Sequence, residues 1–193
     1  MADPQSSLAK LAARDQLLAA RRRRGLAEVG EAATAIATQL LATPEVRRAA
    51  TVAAYVSVGN EPGTSALLDG LRAQGKRVIL PVLLPSNDLD WAVYDGSLVG
   101  ARRGLLEPAG PTLGVDAIAT ADLVLVPGLA VSAAGARLGR GGGSYDRALA
   151  RVPPGTPVWV LLYTAEVGVE VPVEPHDRPV TGAVSPGGIA RFA

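Results

Sequence analysis

The segment that decides the fold runs from residue 121 to residue 147 and reads ADLVLVPGLAVSAAGARLGRGGGSYDR. Its opening, 121–127, is a short and mainly apolar run that ends at a proline, which predicts a buried strand. A Gly-rich loop follows, and then a stretch that predicts a helix over 144–151. Parallel sheets are built from strand, loop and helix in this order, and their ligands bind at the loops that follow the strands.

The rest of the chain repeats this alternation of strands and helices. Helices are predicted over 6–24, 26–41 and 64–74, with Thr64 or Ser65 as the cap of the last one and Gly75 at its end. Strands are predicted over 49–58, 77–82, 91–94 and 157–163, with an edge strand over 180–184, whereas the Gly- and Pro-rich stretch 96–114 predicts a loop. The pattern indicates a single α/β domain over 1–193, a three-layer sandwich with a mostly parallel central sheet and helices on both faces.

Composition narrows the classes of function. The chain has 193 residues, of which 48% are apolar and 19% charged, and its formal net charge of +1 argues against a surface dedicated to nucleic acid or to an anionic membrane. There is no cysteine, and His176 is the only histidine, so any metal must be held by oxygens, as Mg²⁺ prefers. No apolar run is long enough to span a membrane and no secretory signal is evident, so we expect a cytoplasmic protein.

The Gly-rich loop has the residue types of an anion site. Its glycines, Gly139 and Gly141–Gly143, let backbone N–H groups approach a ligand, and Arg137 and Arg140 supply guanidinium groups that suit phosphate oxygens. Asp146 follows the glycines, where a carboxylate suits Mg²⁺. The alternative is an ordinary Gly-rich turn with surface arginines. The loop is not a Walker A motif, because the Lys-Ser/Thr pair is missing, and no acidic residue is placed to complete a dinucleotide fingerprint.

The same loop resembles that of the 5-formyltetrahydrofolate cyclo-ligases, also called methenyltetrahydrofolate synthetases. Their pattern of Pro-Gly after a strand, then Arg-Leu-Gly-Arg-Gly-x-Gly-Tyr-Tyr-Asp, stands here as Pro127-Gly128 and, over 137–146, as RLGRGGGSYD. Weaker matches keep the family's order from residue 10 to about residue 185. They are Lys10 and Arg14, the Glu-x-x-Thr of Glu61 and Thr64, the GLLEP of 104–108, and His176-Asp177.

The resemblance implies an enzyme that uses ATP and Mg²⁺ to convert 5-formyltetrahydrofolate to 5,10-methenyltetrahydrofolate, with release of ADP and phosphate. It implies catalytic roles for Arg140, Lys10 and Tyr145. The implied ATP-binding residues are Lys10, Arg14, Arg137, Leu138, Gly139, Arg140, Gly141, Gly142, Gly143, Ser144 and Tyr145. The implied folate-binding residues are Arg14, Val56, Glu61 and Tyr145, and Mg²⁺ falls to Asp146 and Asp177.

The chain departs from the family pattern at three places. Ser144 replaces the first of the paired tyrosines, Val131-Ser132 replaces a Phe-Asp, and Glu166 replaces a glutamine. These changes leave open a divergent paralogue that binds nucleotide or folate with weak, altered or no turnover. The expected partners are ATP and a reduced folate, with no nucleic acid and no membrane, and the expected state is a monomer or weak dimer.

Several of these residues also have structural interpretations. Lys10 and Arg14 lie four apart, so a shared solvated helix face is an alternative, and 21–24, a run of four arginines, is interpreted as a solvated helix end. Glu61 could be an ordinary loop carboxylate, and Asp177 could pair with Arg178 or a neighbour. His176 is interpreted as a loop or surface residue, and Trp91 and Trp159 as core residues.

Overall fold

The structure is a computed structural model that describes residues 4–174 and 177–192. Its helices are α1 (Pro4–Arg22), α2 (Leu26–Leu41), α3 (Pro44–Arg48), α4 (Ser65–Ala73) and α5 (Ser144–Leu149). Its strands are β1 (Thr51–Ala53), β2 (Arg77–Leu83), β3 (Leu89–Val93), β4 (Leu98–Gly100), β5 (Leu106–Pro108), β6 (Leu123–Pro127), β7 (Ala130–Val131), β8 (Arg137–Leu138), β9 (Val158–Leu161), β10 (Gly182–Ser185) and β11 (Gly188–Arg191). Short 3₁₀ turns lie at Arg102–Gly104, Val115–Thr120 and Thr164–Glu166.

Seven strands form the central sheet, in the order β11-β10-β9-β6-β1-β2-β3. The five inner strands are parallel to one another, and the two edge strands β3 and β11 run antiparallel to their neighbours. From β1 the chain adds β2 and then β3 on one side of the sheet. It then returns to the other side of β1, where it adds β6, β9, β10 and β11 in turn. The order of the strands therefore reverses between β1 and β6, which is where open α/β sheets bind their ligands.

Both faces of the sheet are covered, because successive side chains of a strand point to opposite faces. Val52 and Val78 pack on one face with the apolar sides of α2, α3 and α4. Ala53 and Ile79 pack on the other face with α5 and with Ile118 of a 3₁₀ turn. This arrangement confirms the predicted three-layer sandwich with a mostly parallel sheet.

Helix α1 packs away from the two main cores. Its Leu17 and Leu18 contact a smaller apolar cluster that contains Leu129, just before β7, and Leu138 of β8, and these two strands form a hairpin. That hairpin follows β6 and leads into the Gly-rich loop. The amino-terminal helix therefore stabilises the segment after β6 and lies beside the carboxyl ends of the parallel strands.

Three predictions about elements were wrong. The stretch 96–114 contains the hairpin β4–β5, whose three-residue strands are too short to show a period among glycines and prolines. The strand predicted over 49–58 ends at Ala53, because the chain then leaves the sheet to form the loop before α4. The strand near 180–184 is not an edge strand, because β11 turns back and pairs with it.

Both ends of α4 lie where the sequence predicted them, but the side chain of Thr64, one of the two predicted caps, does not bond to the helix backbone. Gly75 follows the helix in the left-handed conformation, with φ of 74°, where a residue without a side chain is favoured. Thr64 occupies the N-cap position, but its hydroxyl accepts a hydrogen bond from Ser57 N at 2.9 Å and not from the helix backbone. Thr64 therefore joins α4 to the loop that follows β1.

Candidate active site

A cavity of about 390 Å³ opens at the carboxyl ends of β1, β2 and β6, at the point where the strand order reverses. This volume lies within the range of small-molecule sites. The lining residues come from the loop after β1, the hairpin β4–β5, the segment after β6, and the strands β2, β3 and β6. They are Tyr55, Val56, Val58, Glu61, Pro81, Leu83, Leu89, Arg103, Leu105, Leu106, Glu107, Pro127, Gly128, Arg137, Gly139, Arg140, Gly141, Gly142, Gly143, Ser144, Tyr145 and Asp146.

A second cavity of about 170 Å³ lies beside the first and is lined mainly by polar side chains. Its cations are Lys10, Arg14 and Arg137, and its carboxylates are Asp146, Glu174 and Asp177. Arg137, Asp146 and glycines of the Gly-rich loop line both cavities. The loop over 137–146 is therefore a shared wall between a larger, mostly apolar site and a smaller, charged one.

Two glycines of this loop are required by its backbone. Gly141 and Gly143 have φ of 94° and 67°, conformations that disfavour any residue with a Cβ atom. A Cβ atom on Gly141 would also lie 3.2 Å from the Arg14 guanidinium. Left-handed angles were predicted for Gly139 and Gly141–Gly143, which is confirmed for Gly141 and Gly143 and wrong for Gly139 and Gly142. Helix α5, which follows them, ends at Leu149 and is shorter than the predicted helix.

Arg137 and Asp146 form a partly buried ion pair at the junction of the two cavities. Arg137 Nη2 lies 2.9 Å from Asp146 Oδ1, and Arg137 Nη1 donates to the carbonyl of Pro127 at 3.1 Å. The Arg137 side chain is almost completely buried, and its Nε has no hydrogen-bond partner among the residues described. The arginine therefore holds the end of β6, the Gly-rich loop and the start of α5 together.

Arg140 and Glu61 join the two sides of the larger cavity. Arg140 Nε donates to Glu61 Oε1 at 3.0 Å, and Val58 N donates to Glu61 Oε2 at 2.9 Å. Glu61 is buried while half of the Arg140 side chain is exposed. Glu61 is therefore not an ordinary solvated loop carboxylate, and each of its oxygens keeps a lone pair for a ligand.

Lys10 and Arg14 both point from α1 toward the site, so the solvated helix face considered for them was wrong. Lys10 is 3% exposed and its Nζ lies 2.6 Å from both Glu174 Oε2 and Asp177 Oδ2. Arg14 Nε donates to the carbonyl of Gly139 at 3.0 Å. The helix therefore brings two cations to the smaller cavity, more than 100 residues away from their partners in the chain.

Tyr145 lies in the first turn of α5, with its ring centre 5.9 Å from the Arg137 guanidinium carbon. Burial, reinforced by the Glu61 carboxylate, raises the pKa of the Tyr145 hydroxyl, and Arg137 opposes this effect only in part. The hydroxyl therefore stays protonated at neutral pH and is suited to donate a hydrogen bond, not to act as a base.

Comparison with known proteins identifies the architecture. The sequence profile of the 5-formyltetrahydrofolate cyclo-ligase family matches residues 6–186. The chain belongs to this family. A 5-formyltetrahydrofolate cyclo-ligase of Mycolicibacterium smegmatis is 46% identical over 144 residues, which cover 70% of this chain and 73% of that protein. The cyclo-ligase of Escherichia coli K12 is 34% identical over 171 residues, which cover 82% and 88%.

Solved structures show the same fold. The structure of Aquifex aeolicus 5,10-methenyltetrahydrofolate synthetase matches with a TM-score of 0.82 and 25% identity, over 95% of this chain and 92% of that one. A synthetase from Mycoplasma pneumoniae matches with a TM-score of 0.74 and 20% identity, over 92% and 98%, and supports the fold alone. Together with the family match, these relatives show a ligase-type enzyme, as the resemblance implied.

The three departures from the cyclo-ligase pattern lie in different places. Ser144 lines the larger cavity, so the missing aromatic ring is at the site itself. Val131 is completely buried in β7, Ser132 caps the turn to Ala136, and neither is among the described residues that line the two cavities. Glu166 is buried and pairs with Arg21 behind the site. Only the first departure directly changes the cavity wall.

Several cavity residues were missed in the sequence. Tyr55 follows β1 and Leu83 is the last residue of β2. Residues at the carboxyl ends of parallel strands are expected near the ligand, so this position could have identified both. Leu105 and Leu106 belong to the hairpin β4–β5, which was predicted as a loop. Glu107, within the matched GLLEP stretch, accepts a hydrogen bond from Leu83 N at 2.9 Å and so attaches that hairpin to β2.

The two predicted metal ligands, Asp146 and Asp177, line the same cavity, and each forms an ion pair with a basic side chain. Asp146 contacts Arg137, and Asp177 contacts Lys10. Within 4–174 and 177–192, no three acidic or histidine side chains are grouped to hold a metal ion. The prediction for His176 lies outside the described residues. Mg²⁺ commonly uses one or two carboxylates together with substrate phosphates, and that is the kind of site these residues fit.

No helix in the described part of the chain has both the length and the apolar character needed to cross a bilayer.

Proposed function

We propose that this cyclo-ligase converts 5-formyltetrahydrofolate to 5,10-methenyltetrahydrofolate with ATP and Mg²⁺, releasing ADP and phosphate. The observation that supports this proposal most strongly is the shared wall. The loop over 137–146 borders both the larger, mostly apolar cavity and the smaller, charged cavity. A phosphoryl donor in one cavity and an acceptor in the other would meet at that loop, and phosphoryl transfer depends chiefly on such positioning.

The larger cavity suits the folate. Its apolar side chains offer contact area for a pterin ring and an aminobenzoyl group, and Glu61 offers an acceptor for the pterin amino and ring N–H donors. We place Val56, Glu61 and Tyr145 at this ring. Arg14 reaches the Gly-rich loop from the other side, where it would contact either substrate.

The smaller cavity suits the phosphates. Lys10, Arg14 and Arg137 supply positive charge there, but Asp146, Glu174 and Asp177 balance it. A triphosphate would add negative charge to an already neutral lining, so its binding calls for a divalent cation. Mg²⁺ held by the phosphates with Asp146 and Asp177 would supply that charge and neutralise the transferring phosphoryl group.

The proposed reaction has two steps. The formyl oxygen attacks the γ-phosphorus of ATP, the bond from phosphorus to the bridging oxygen breaks, and ADP leaves. The other folate nitrogen, N10, then attacks the activated carbon and loses its proton, and phosphate leaves with the former formyl oxygen. Arg140 and the backbone of the Gly-rich loop would stabilise charge on the phosphoryl oxygens, and Lys10 would orient the phosphates. Tyr145, protonated, would position the folate.

Arg140→Ala tests the assignment of the phosphoryl site. Half of the Arg140 side chain is exposed, so its removal should leave the fold intact, while turnover should fall at least about 100-fold because a cation at the transferring group is lost. The measurement is ADP release with 5-formyltetrahydrofolate and Mg-ATP, alongside thermal unfolding. Arg23→Ala, which removes an exposed arginine just after the end of α1, is the matched control and should retain full activity. Wild-type turnover by Arg140→Ala would contradict the proposal.

A further inference from the structure

The hydroxyl of Tyr55 is buried next to the larger cavity without a partner in the protein. Tyr55 follows β1, is 3% exposed and lines the cavity. Its Oη has no hydrogen-bond partner among the described residues. A buried hydroxyl usually finds a partner, because leaving one unsatisfied costs about 1–3 kcal/mol. A bound ligand is the partner that the position of Tyr55 on the cavity wall suggests.

The surroundings of Tyr55 keep its hydroxyl protonated, so that it can donate a hydrogen bond. Burial is the main effect that raises its pKa well above the usual value, and the Glu61 carboxylate raises the pKa further while Arg21 opposes the shift. The hydroxyl therefore keeps its proton at neutral pH. Glu61, which lines the same cavity, carries the complementary chemistry, since a carboxylate can only accept.

A donor beside an acceptor matches one edge of a pterin. That edge presents the 2-amino group and the N3–H as donors, followed by the 4-oxo group as an acceptor. The Glu61 oxygens hold one protein donor each, Arg140 Nε and Val58 N, and so retain capacity for two more hydrogen bonds. Among the described residues that line this cavity, the Tyr55 hydroxyl is buried without a protein partner, so it is available to donate to the 4-oxo group.

We propose that Tyr55 is a specificity-determining residue, whose hydroxyl donates to the 4-oxo group of the pterin while Glu61 accepts from the 2-amino group and N3–H. The inference rests on the proposed function, because it assumes a reduced folate in the larger cavity. Its consequence is selectivity. A 4-amino-4-deoxy folate carries an amino group in place of the 4-oxo acceptor and has no N3–H, so it cannot accept from Tyr55, it offers Glu61 one donor fewer, and the wild-type site should disfavour it.

The test compares Tyr55→Phe with the wild-type protein. Phenylalanine keeps the ring that packs in the core, so the thermal stability of the ligand-free protein should stay the same or rise slightly. Affinity is measured for 5-formyltetrahydrofolate and for its 4-amino-4-deoxy analogue, together with KM for ATP. The preference for the 4-oxo compound should fall about tenfold in Tyr55→Phe, with KM for ATP unchanged.

Tyr94→Phe is the matched control. Tyr94 carries the same hydroxyl, is partly buried against the same core and is absent from the described lining of both cavities, so its loss should leave the preference unchanged. An unchanged preference in Tyr55→Phe, with 5-formyltetrahydrofolate still bound, would overturn the inference while leaving the proposed function standing. A loss of ligand-free stability with unchanged preference would overturn it too and give the hydroxyl a structural role. Failure of the wild-type protein to bind 5-formyltetrahydrofolate would overturn both proposals.

Discussion

Arg21 and Glu166 show how one buried ion pair supports the site from behind. Arg21 Nε and Nη2 donate to the two Glu166 oxygens at 2.8 and 2.7 Å, and Nη2 also donates to the carbonyl of Gly128 at 2.7 Å. Burial opposes the charge on Arg21, but the hydrogen bonds and charge of Glu166 outweigh it and raise the arginine pKa. The pair fixes the end of α1 to Gly128, which lines the larger cavity.

The arginine run over 21–24 was interpreted as a solvated helix end, and for Arg21 that was wrong. Arg21 is 2% exposed, whereas Arg22 and Arg23 are exposed. A run of like residues on a helix faces all directions, so one of them can turn to the protein while its neighbours stay in water. Composition alone could not identify which one, because its partner lies 145 residues away.

Glu166→Gln should lower the free energy of unfolding by about 3 kcal/mol, because it leaves the buried Arg21 guanidinium without a counter-charge. The amide also turns one oxygen into a donor. If the new NH₂ group takes the place of Oε1, it faces Arg21 Nε, which is itself a donor. If it takes the place of Oε2, it faces Arg21 Nη2 and the backbone N–H of Tyr163, whose nitrogen lies 2.9 Å from Oε2 in the wild-type protein. The measurement is urea unfolding at neutral pH.

Glu28→Gln is the control for this change. Glu28 pairs with Arg24 four residues earlier on the surface, and half of its side chain is exposed, so we expect a loss of only about 0.3 kcal/mol. Equal losses of unfolding free energy in the two variants would show that burial does not make the Arg21–Glu166 pair more important for stability than a surface pair.

At the scale of elements, Asp88 joins the turn between β2 and β3 to the end of α5. Arg151 Nη1 and Nη2 donate to the two Asp88 oxygens at 3.0 and 2.6 Å, and this bidentate contact lowers the pKa of the carboxyl. A carboxyl whose pKa is lowered by folding stabilises the protein above its unfolded pKa of about 4, and the effect disappears as the pH falls through its folded pKa.

Asp88→Asn should therefore lower the free energy of unfolding by about 1 kcal/mol at pH 7, and the difference from wild type should shrink and then vanish as the pH falls below the unfolded pKa of about 4 and through the lower pKa of the folded protein. Unfolding curves across this pH range test the prediction. Asp116→Asn removes an equal charge that faces the same arginine at 3.3 Å, but Asp116 is exposed, so its effect should be small at every pH. A difference for Asp88→Asn that does not depend on pH would contradict the explanation.

Elements with strong local signals could be predicted from the sequence. Helix α2 has its predicted bounds. Its apolar residues recur at helical spacing without interruption until the turn before Pro44. Strand β6 and the Gly-rich loop were also correct, since short apolar runs and glycine clusters are local features. The hairpin β4–β5 and strand β11 were missed, because three- and four-residue strands are defined by pairing with a partner and not by their own pattern.

At the scale of the whole molecule, three distant segments converge on one site. Lys10 of α1 contacts Glu174 and Asp177, which are 164 and 167 residues away, and Arg14 contacts Gly139 of the loop after β6. The parallel sheet makes this possible, because it places the ends of β1 and β6 side by side. The motifs indicated which residues carry the chemistry, but only the fold shows that they line two adjoining cavities with one wall in common.

This geometry leads to one direct measurement, the appearance of the methenyltetrahydrofolate chromophore when the purified protein is mixed with 5-formyltetrahydrofolate, ATP and Mg²⁺. The account predicts absorbance growth that requires all three additions, with about one ADP released per methenyltetrahydrofolate formed, because each ring closure consumes one transferred phosphoryl group. Removing Mg²⁺ with a chelator should stop the reaction. Absorbance growth that is unaffected by omitting ATP, or ATP hydrolysis without any methenyl product, would contradict the claim that donor and acceptor meet at the loop over 137–146.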